Sequence, residues 1–455
     1  MPAASGTAQW SSRFAFIMAA VGSSVGLGNL WRFSSEAGQN GGGAFILIYL
    51  LAVVFVCIPV LMSEYLVGRA GSSANAVDSV AEVAIQSRRT RNWSLLSWVG
   101  VIAGFLIVTF YCVVAAWVMR YIFKFLGNDF AGLEADEVGA VFGNFISTPT
   151  QVLPWFLLFA LITTWLVSRG VNKGIELAAE ILMPIFFVLL AGLALFAIFT
   201  NIDTGGTAQA LAFLYTPDFS KITGSVASAA LGQAFFSVGV GSAIMITYGS
   251  YLPKNISIPN ASLIVGLTDT GVALIAGLAI FPIVFAFGLE PGVGAGLFFV
   301  TLPNAFASMG AIGTFVGAAF FFLAFFAAIT SSVSLLEPSV ALVSERFDMT
   351  KRKAAWIMGA VMVAIGMVSV FGQTDSNPTA ALDLIDTFTG QVMLPLAGLL
   401  IVLFVGWRLD KAIIAEQFAG SEALGRILVF LTRFVAPVFV GIVLVTSTYG
   451  AYFAG

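Results

Sequence analysis

Few residues in this chain are equipped for chemistry. Of 455 positions only 9% are charged, and histidine is absent. That excludes histidine acid–base catalysis, histidine proton relays and histidine-ligated metals. No Gly-x-x-x-x-Gly-Lys-Ser/Thr phosphate loop occurs, which argues against a nucleotide-driven pump. The charges that stand out lie inside apolar runs: Arg32, Glu64, Asp269, Glu337 and Asp386. On insertion scales a charge at the bilayer centre costs about 2.5–3.5 kcal/mol, so each is a functional candidate with an expected partner or water. Asp269 and Glu64 could serve as acid and base, yet no activated nucleophile or metal set accompanies them. Cys57 and Cys112 also lie in apolar runs, where they fit as small buried hydrophobes and not as a disulfide.

Two glycine-rich interruptions offer a different chemistry. One reads Val21-Gly22-Ser23-Ser24-Val25-Gly26-Leu27-Gly28-Asn29, the other Ser237-Val238-Gly239-Val240-Gly241-Ser242. Unpaired backbone groups are expensive in hydrocarbon, so non-helical backbone persists there only where it lines a cavity or binds something. Close helix packing through small residues is the alternative for each taken singly. Two such breaks five spans apart point instead to an inverted repeat with a binding site at the broken helices.

The elements that must hold these groups are membrane spans. The chain is 59% hydrophobic, with a mean hydropathy of +1.00, whereas a soluble domain carries about 25% charged residues. Eleven apolar runs approach the roughly 20 residues a spanning helix needs. They fall near 14–37, 43–69, 97–125, 152–168, 175–200, 225–250, 260–287, 313–343, 354–372, 381–407 and 426–452. The expected fold is an all-α membrane protein of eleven transmembrane helices in one domain. Residues 14–200 form one repeat, 225–407 the inverted second, and 426–452 an additional helix. Helices 1 and 6 are broken. The connector 127–150 reads as an acidic loop, and 289–311, with Pro291 and Pro303, as a segment that folds back as a lid. Lys and Arg concentrate in alternate connectors, among them Arg88, Arg89, Arg91, Lys351, Arg352, Lys353, Arg408 and Lys411. The positive-inside rule then places the N-terminus in the cytoplasm and the C-terminus outside, in the cell (inner) membrane. The run after Arg13 lacks an A-x-A cleavage site, so the first span is expected to stay.

Specific motifs sharpen this reading. Gly22-Ser23-Ser24-Val25-Gly26-Leu27-Gly28-Asn29-Leu30-Trp31-Arg32-Phe33 resembles the first-helix signature of the neurotransmitter:sodium symporters. Asn40-Gly41-Gly42-Gly43-Ala44-Phe45, Glu64-Tyr65-Leu66-Val67-Gly68-Arg69, Gly232-Gln233-Ala234-Phe235-Phe236-Ser237 and Thr330-Ser331-Ser332 match as well. The resemblance covers essentially the whole chain, and its length is similar to the bacterial amino-acid transporter branch with a leucine-transporter-like fold. It implies sodium-coupled symport by alternating access, with two sodium ions, an amino-acid substrate, the lipid bilayer as surroundings and no nucleic-acid partner. The oligomeric state is left open.

By this resemblance, sodium site 1 uses Ser24, Asn29, Ser237 and Asp269. Sodium site 2 uses the carbonyls of Gly22, Val25 and Ala327 with the hydroxyls of Thr330 and Ser331. For the two hydroxyls, bonding back to their own helix is the alternative. With one residue of register open in Leu267-Thr268-Asp269-Thr270, Asp269 stands where the family has a neutral Asn. Chloride-dependent relatives bind an anion beside this site, and a fixed carboxylate supplies that charge, so chloride independence is expected.

Gly26 occupies the position where monoamine-transporting relatives carry Asp, which leaves room for the substrate's carboxylate. Tyr111, spaced from Trp117 as in the family, would bond that carboxylate. Ser23, Ser24, Leu27, Gly28 and Ser237 join the substrate contacts. Ile107, Phe236, Gly239, Ser242, Ser331 and Leu335 surround the side chain. Small-pocket relatives carry a large aromatic at Ser242, so a hydrophobic or aromatic L-amino acid is expected. A small neutral amino acid or a GABA- or taurine-like substrate is the alternative.

Arg32 and Asp386 would form the outer gate above Tyr111 and Phe236, with a permanent structural pair as the alternative. Glu64 is expected to accept from the exposed amides of broken span 6; Glu337 has no assignment. Gly174 and Pro184 resemble an inner-gate motif in span 5. Trp10 matches an N-terminal tryptophan whose latch pairs with an acid at Glu345, although Thr7 stands where the family has Arg.

Overall fold

The computed structural model describes residues 9–71, 73–289, 294–374 and 377–452, all helix and connector with no strand among them. The expectations at Thr7 and Pro291 lie outside these residues. Helices follow in chain order as α1 (Arg13–Ser24), α2 (Gly28–Gln39), α3 (Gly43–Ala70), α4 (Ala76–Gln86), α5 (Arg91–Leu126) and α6 (Ala135–Ile146). Then come α7 (Pro149–Ser168), α8 (Val171–Thr200), α9 (Gly206–Tyr215), α10 (Gly224–Val238), α11 (Ile244–Ser250) and α12 (Ile258–Ala286). The last six are α13 (Leu297–Ser308), α14 (Ala311–Arg346), α15 (Lys351–Phe371), α16 (Ala380–Trp407), α17 (Lys411–Gln417) and α18 (Glu422–Thr446). Among the described residues nine helices are long and apolar enough to cross a membrane, and the pair α1–α2, bent by 52°, makes a tenth.

Proline sets the local irregularities. Wide π turns cover Val53–Cys57, Leu297–Thr301, Phe388–Met393 and Leu431–Val435. Each ends two residues before a proline, at Pro59, Pro303, Pro395 and Pro437. Proline offers no N–H and its ring crowds the carbonyl one turn back, so the ladder slips to a wider turn there. The helices bend without breaking.

Glycine sets the closest approaches. A Cβ on Gly249 would lie 2.9 Å from the Tyr65 carbonyl oxygen, and one on Gly68 would strike the Ile246 carbonyl. Hence α3 and α11 touch backbone to backbone. Such contact through small residues is how membrane helices pack without a hydrophobic drive between them.

The connectors hold more structure than hydropathy indicates. α6 begins at Glu134, where Glu134 and Glu137 form a capping box, and α4 begins at Asn75, whose side chain accepts from the Asp78 amide. Both are short polar-faced helices that a 20-residue apolar window passes over. The 127–150 connector is therefore partly helical and not a plain loop. Of the 289–311 segment, α13 packs inward through its aromatic rings. Phe299 there stacks on Phe142 at 4.9 Å and meets Trp31, Trp117 and Tyr121 edge-on.

Candidate functional site

Both broken helices leave helical geometry where the glycines lie. After α1, Val25 is extended (φ −71°, ψ 105°). After α10, Gly239 (φ +73°), Gly241 (φ +86°) and Ala243 (φ +59°) are left-handed. Glycine takes that region without strain, and Ala243 holds it as a rare non-glycine. A Cβ at Gly241 would collide with the Leu394 carbonyl, so no larger residue fits that turn. Ser24 Oγ donates to the Val238 carbonyl at 3.0 Å and joins one break to the other. Glu64 Oε1 accepts from the Gly241 amide at 2.9 Å, as expected for the exposed amides of this break.

Asp269 is the hub of one polar cluster. Asn29 Nδ2 donates to its Oδ1 at 2.7 Å, and Ser237 Oγ donates to its Oδ2 at 2.7 Å. Tyr49 donates to Ser237 Oγ at 3.2 Å, and Asn29 Oδ1 accepts from the Gly26 amide at 3.0 Å. All four side chains are buried. Asn29, Ser237 and Asp269 of the expected set thus come together, while the Ser24 hydroxyl bonds the Val238 carbonyl next to Ser237. Tyr49 joins the cluster unforeseen, because one tyrosine in an apolar span carries no signal of its partner.

Ser331 is the hub of a second cluster. Its hydroxyl lies 3.3 Å from the Gly22 carbonyl oxygen, 3.4 Å from that of Ser23 and 3.2 Å from that of Val25. Thr330 Oγ1 bonds its own helix, to the Phe326 and Ala327 carbonyls at 3.1 and 3.2 Å. Helix α14 carries both hydroxyls, and a Cβ at Gly22 would come within 3.1 Å of Thr330 Cβ. Carbonyl and hydroxyl oxygens without a carboxylate suit a monovalent hard cation.

Gly26 lies beside this second cluster. A Cβ there would sit 2.7 Å from Ser331 Oγ and 3.2 Å from Tyr111 Oη. Tyr111 Oη accepts from the Leu27 amide at 3.3 Å. A Cβ at Gly28 would meet the Phe236 ring at 2.8 Å. Ser242 Oγ bonds the Gly239 carbonyl at 2.7 Å, and Gly104, one turn before Ile107, faces the carbonyls of Ser242 and Leu335. Beside Gly239 a Cβ would meet nothing within 4 Å.

A cavity of about 280 Å³ opens above, lined by Leu27, Gly28, Arg32, Tyr111, Phe236 and Asp386 among others. The Arg32 guanidinium lies 4.4 Å over the Phe236 ring. Arg32 and Asp386 share this cavity, and no ion pair within 4 Å is formed between them.

At the opposite end, Trp10 Nε1 donates to the Tyr248 carbonyl at 3.1 Å and the Trp10 ring packs edge-on against Tyr248. Tyr248 donates to Ser334 at 2.7 Å, and Ser334 to the Thr330 carbonyl at 2.8 Å. A hydrogen-bonded path therefore runs from the N-terminal segment to the second cluster. Glu337, unassigned by sequence, accepts from Tyr251 at 3.0 Å and pairs with Lys351. Glu345 bonds the Ser73 hydroxyl, the Ala74 amide and Asn75, and among the described residues none of the N-terminal segment. The acid that holds that segment is Glu176 of α8, bonded by Ser11 and Asn172. Gly174 lies in the π turn Val171–Glu176, and α8 is continuous through Pro184.

Known proteins are similar to this chain in sequence and fold. The pattern of the Sodium:neurotransmitter symporter family matches residues 7–136 and 144–452. The uncharacterized sodium-dependent transporter YhdH of Bacillus subtilis is 37% identical over 96% of both chains. The sodium-dependent nutrient amino acid transporter 1 of Drosophila mojavensis is 25% identical over 80% of this chain and 64% of its own length. The crystal structure of MhsT in complex with L-phenylalanine superposes with a TM-score of 0.87 at 40% identity, covering 97% of this chain and 100% of that one. The chain therefore belongs to the sodium:neurotransmitter symporter family, as a multi-pass, sodium-dependent membrane symporter with the leucine-transporter-like fold.

Proposed function

We propose that this symporter takes up a hydrophobic or aromatic L-amino acid with two sodium ions and without chloride. The observation that carries this reading is the niche at Gly26. There the Tyr111 and Ser331 hydroxyls converge on a residue with no side chain, beside the start of α2. A substrate carboxylate fits such a niche, because a helix start presents free amides and a positive dipole end. The Gly22–Val25–Ala327–Thr330–Ser331 oxygens would hold one sodium, and Ser24, Asn29, Ser237 and Asp269 the other. Asp269 would balance the second charge in place of chloride.

The open space beside Gly239 and the small Ser242 support a large side chain, since each buried methylene adds about 0.8 kcal/mol. The phenylalanine bound by MhsT, a 40% identical protein, supports the same class. In the cycle we envisage, α10 and α11 act as one broken span, the sixth in chain order, which brings the spans to eleven, and the two repeats are inverted. Spans 1, 2, 6 and 7 rock against the rest. Arg32 swings from Phe236 to Asp386 to close the outside, and unwinding of α8 near Gly174 opens the inside. The N-terminus is cytoplasmic, and the C-terminus outside.

The test is uptake of labelled L-phenylalanine into proteoliposomes, competed by a panel of amino acids, with sodium and chloride varied independently. Leucine, tryptophan and tyrosine should compete better than glycine, GABA or taurine, and gluconate in place of chloride should leave uptake unchanged. Ser242→Phe should reduce tryptophan transport at least tenfold more than alanine transport. Loss of uptake without chloride, or an equal loss for both substrates, would overturn the corresponding assignment.

A further inference from the structure

Arg433 belongs to none of these sites, yet it lies within α18 on the outer surface of the bundle. The π turn Leu431–Val435, set by Pro437, surrounds it. Gly406 of α16 lets the two backbones meet, since a Cβ there would lie 2.8 Å from the Thr432 carbonyl oxygen and 3.0 Å from Arg433 Cα. Trp407 Nε1 donates to the Arg433 carbonyl at 3.2 Å. The guanidinium stacks 4.5 Å over the Trp407 ring and 6.0 Å from the Phe434 ring. Backbone, ring and cation are thus fixed together.

Among the described residues the guanidinium has no carboxylate partner within 4 Å. Its Nε is enclosed without a hydrogen-bond partner. Stacking on an aromatic face contributes about 0.5–2 kcal/mol, less than the several kcal/mol needed to take such an ion out of water unpaired.

The surroundings specify the missing anion. Arg426, seven residues earlier on the same helix and about 10 Å along the axis, lines a cavity of about 330 Å³ with Lys411. Ile414, Phe418 and Val429 give that cavity an apolar wall. The one acid lining it, Glu422, accepts from the Gly420 amide at 2.9 Å and also faces the charge of Arg426 four residues on. This is the basic end of the molecule, where Arg89 Nε donates to the Arg408 carbonyl and the Asp410 amide to Ser87. From it Phe430, Phe434 and Val438, one turn apart and each more than half exposed, run along the outside of α18.

We propose that Arg433 and Trp407, with Arg426 and Lys411, bind the phosphate headgroup of an anionic phospholipid whose acyl chain lies along Phe430, Phe434 and Val438. A basic cleft between membrane helices at the more positive end suits such headgroups. A free phosphate would leave the apolar wall and this lane without a partner.

The test uses the full chain, delipidated in a non-ionic detergent, with unfolding temperature and native mass spectrometry as readouts. Phosphatidylglycerol should bind and raise the unfolding temperature, whereas phosphatidylcholine and inorganic phosphate should do so far less. Arg433→Gln should weaken phosphatidylglycerol about tenfold or more, as loss of a charge-assisted contact does. Where that variant is not monodisperse, Arg426→Gln and the wild-type lipid selectivity decide. Equal binding of phosphatidylcholine, an equal effect of inorganic phosphate, or unchanged affinity in the variants would overturn the proposal. So would a dimer that Arg433→Gln dissolves regardless of lipid, because the face would then receive a second copy of the chain.

Discussion

At Gly26 the surroundings decide the residue: Ser331 Oγ would stand 2.7 Å from any Cβ built there. Gly26→Ala should therefore push Ser331 and Tyr111 apart and cut uptake at least tenfold, while size-exclusion chromatography shows the protein still folded. An alanine variant with wild-type uptake would remove the carboxylate niche from the argument. Asp269 shows the limits of residue type alone. Its place in an apolar span marks it as functional, but its bonds to Asn29 and Ser237 join residues from three separate spans. Arg32 is the opposite case. The sequence pairs it with Asp386 by charge, whereas the structure rests it on the Phe236 ring. Coulomb attraction and cation–π stacking compete at similar cost in a wet cavity, and only coordinates distinguish them.

At the scale of the element, the breaks are held open by partners from other helices. The Gly241 amide has no helical acceptor and finds Glu64 Oε1 at 2.9 Å across from α3. Removing the carboxyl in Glu64→Ala leaves a buried donor unsatisfied and should cost about 1–3 kcal/mol. Glu64→Gln keeps an acceptor and should lose less. Thermal unfolding of the two variants in the same detergent measures the difference; an equal loss would mean that Glu64 acts through its charge. The connector helices teach a separate lesson. Their signals were local and present, in the Asn75 cap and the Glu134–Glu137 box, but too short for a hydropathy window.

Across the whole molecule, the two polar clusters and the N-terminal segment are connected. Ser331 bonds the carbonyls of the first break, Thr330 receives Ser334, and Ser334 receives Tyr248 under Trp10. Sodium and substrate bound in such a network must influence each other equally, because coupling free energy is reciprocal. Saturating sodium should raise substrate affinity by roughly 5–150-fold, and saturating substrate should raise the overall binding constant for the sodium ions together by the same factor. Equilibrium binding in detergent checks both arms, and unequal factors would show that a further ion or proton takes part.

The sequence by itself determined the solvent, the elements and the sites of breakage. Apolar runs near 20 residues, glycine clusters and intramembrane charges each report a cost that the bilayer imposes locally, residue by residue. The motifs extended that reading to the residues proposed for the two ion sites. Only the tertiary structure decided what those groups touch: Tyr49 against Ser237, Glu176 against Ser11, and Arg433 stacked on Trp407. Such partners lie tens to hundreds of residues apart. Which of several compatible polar groups meets another depends on helix rotation and approach, set by contacts such as Gly249 on Tyr65 and Gly406 on Thr432. No local pattern in the chain encodes that choice.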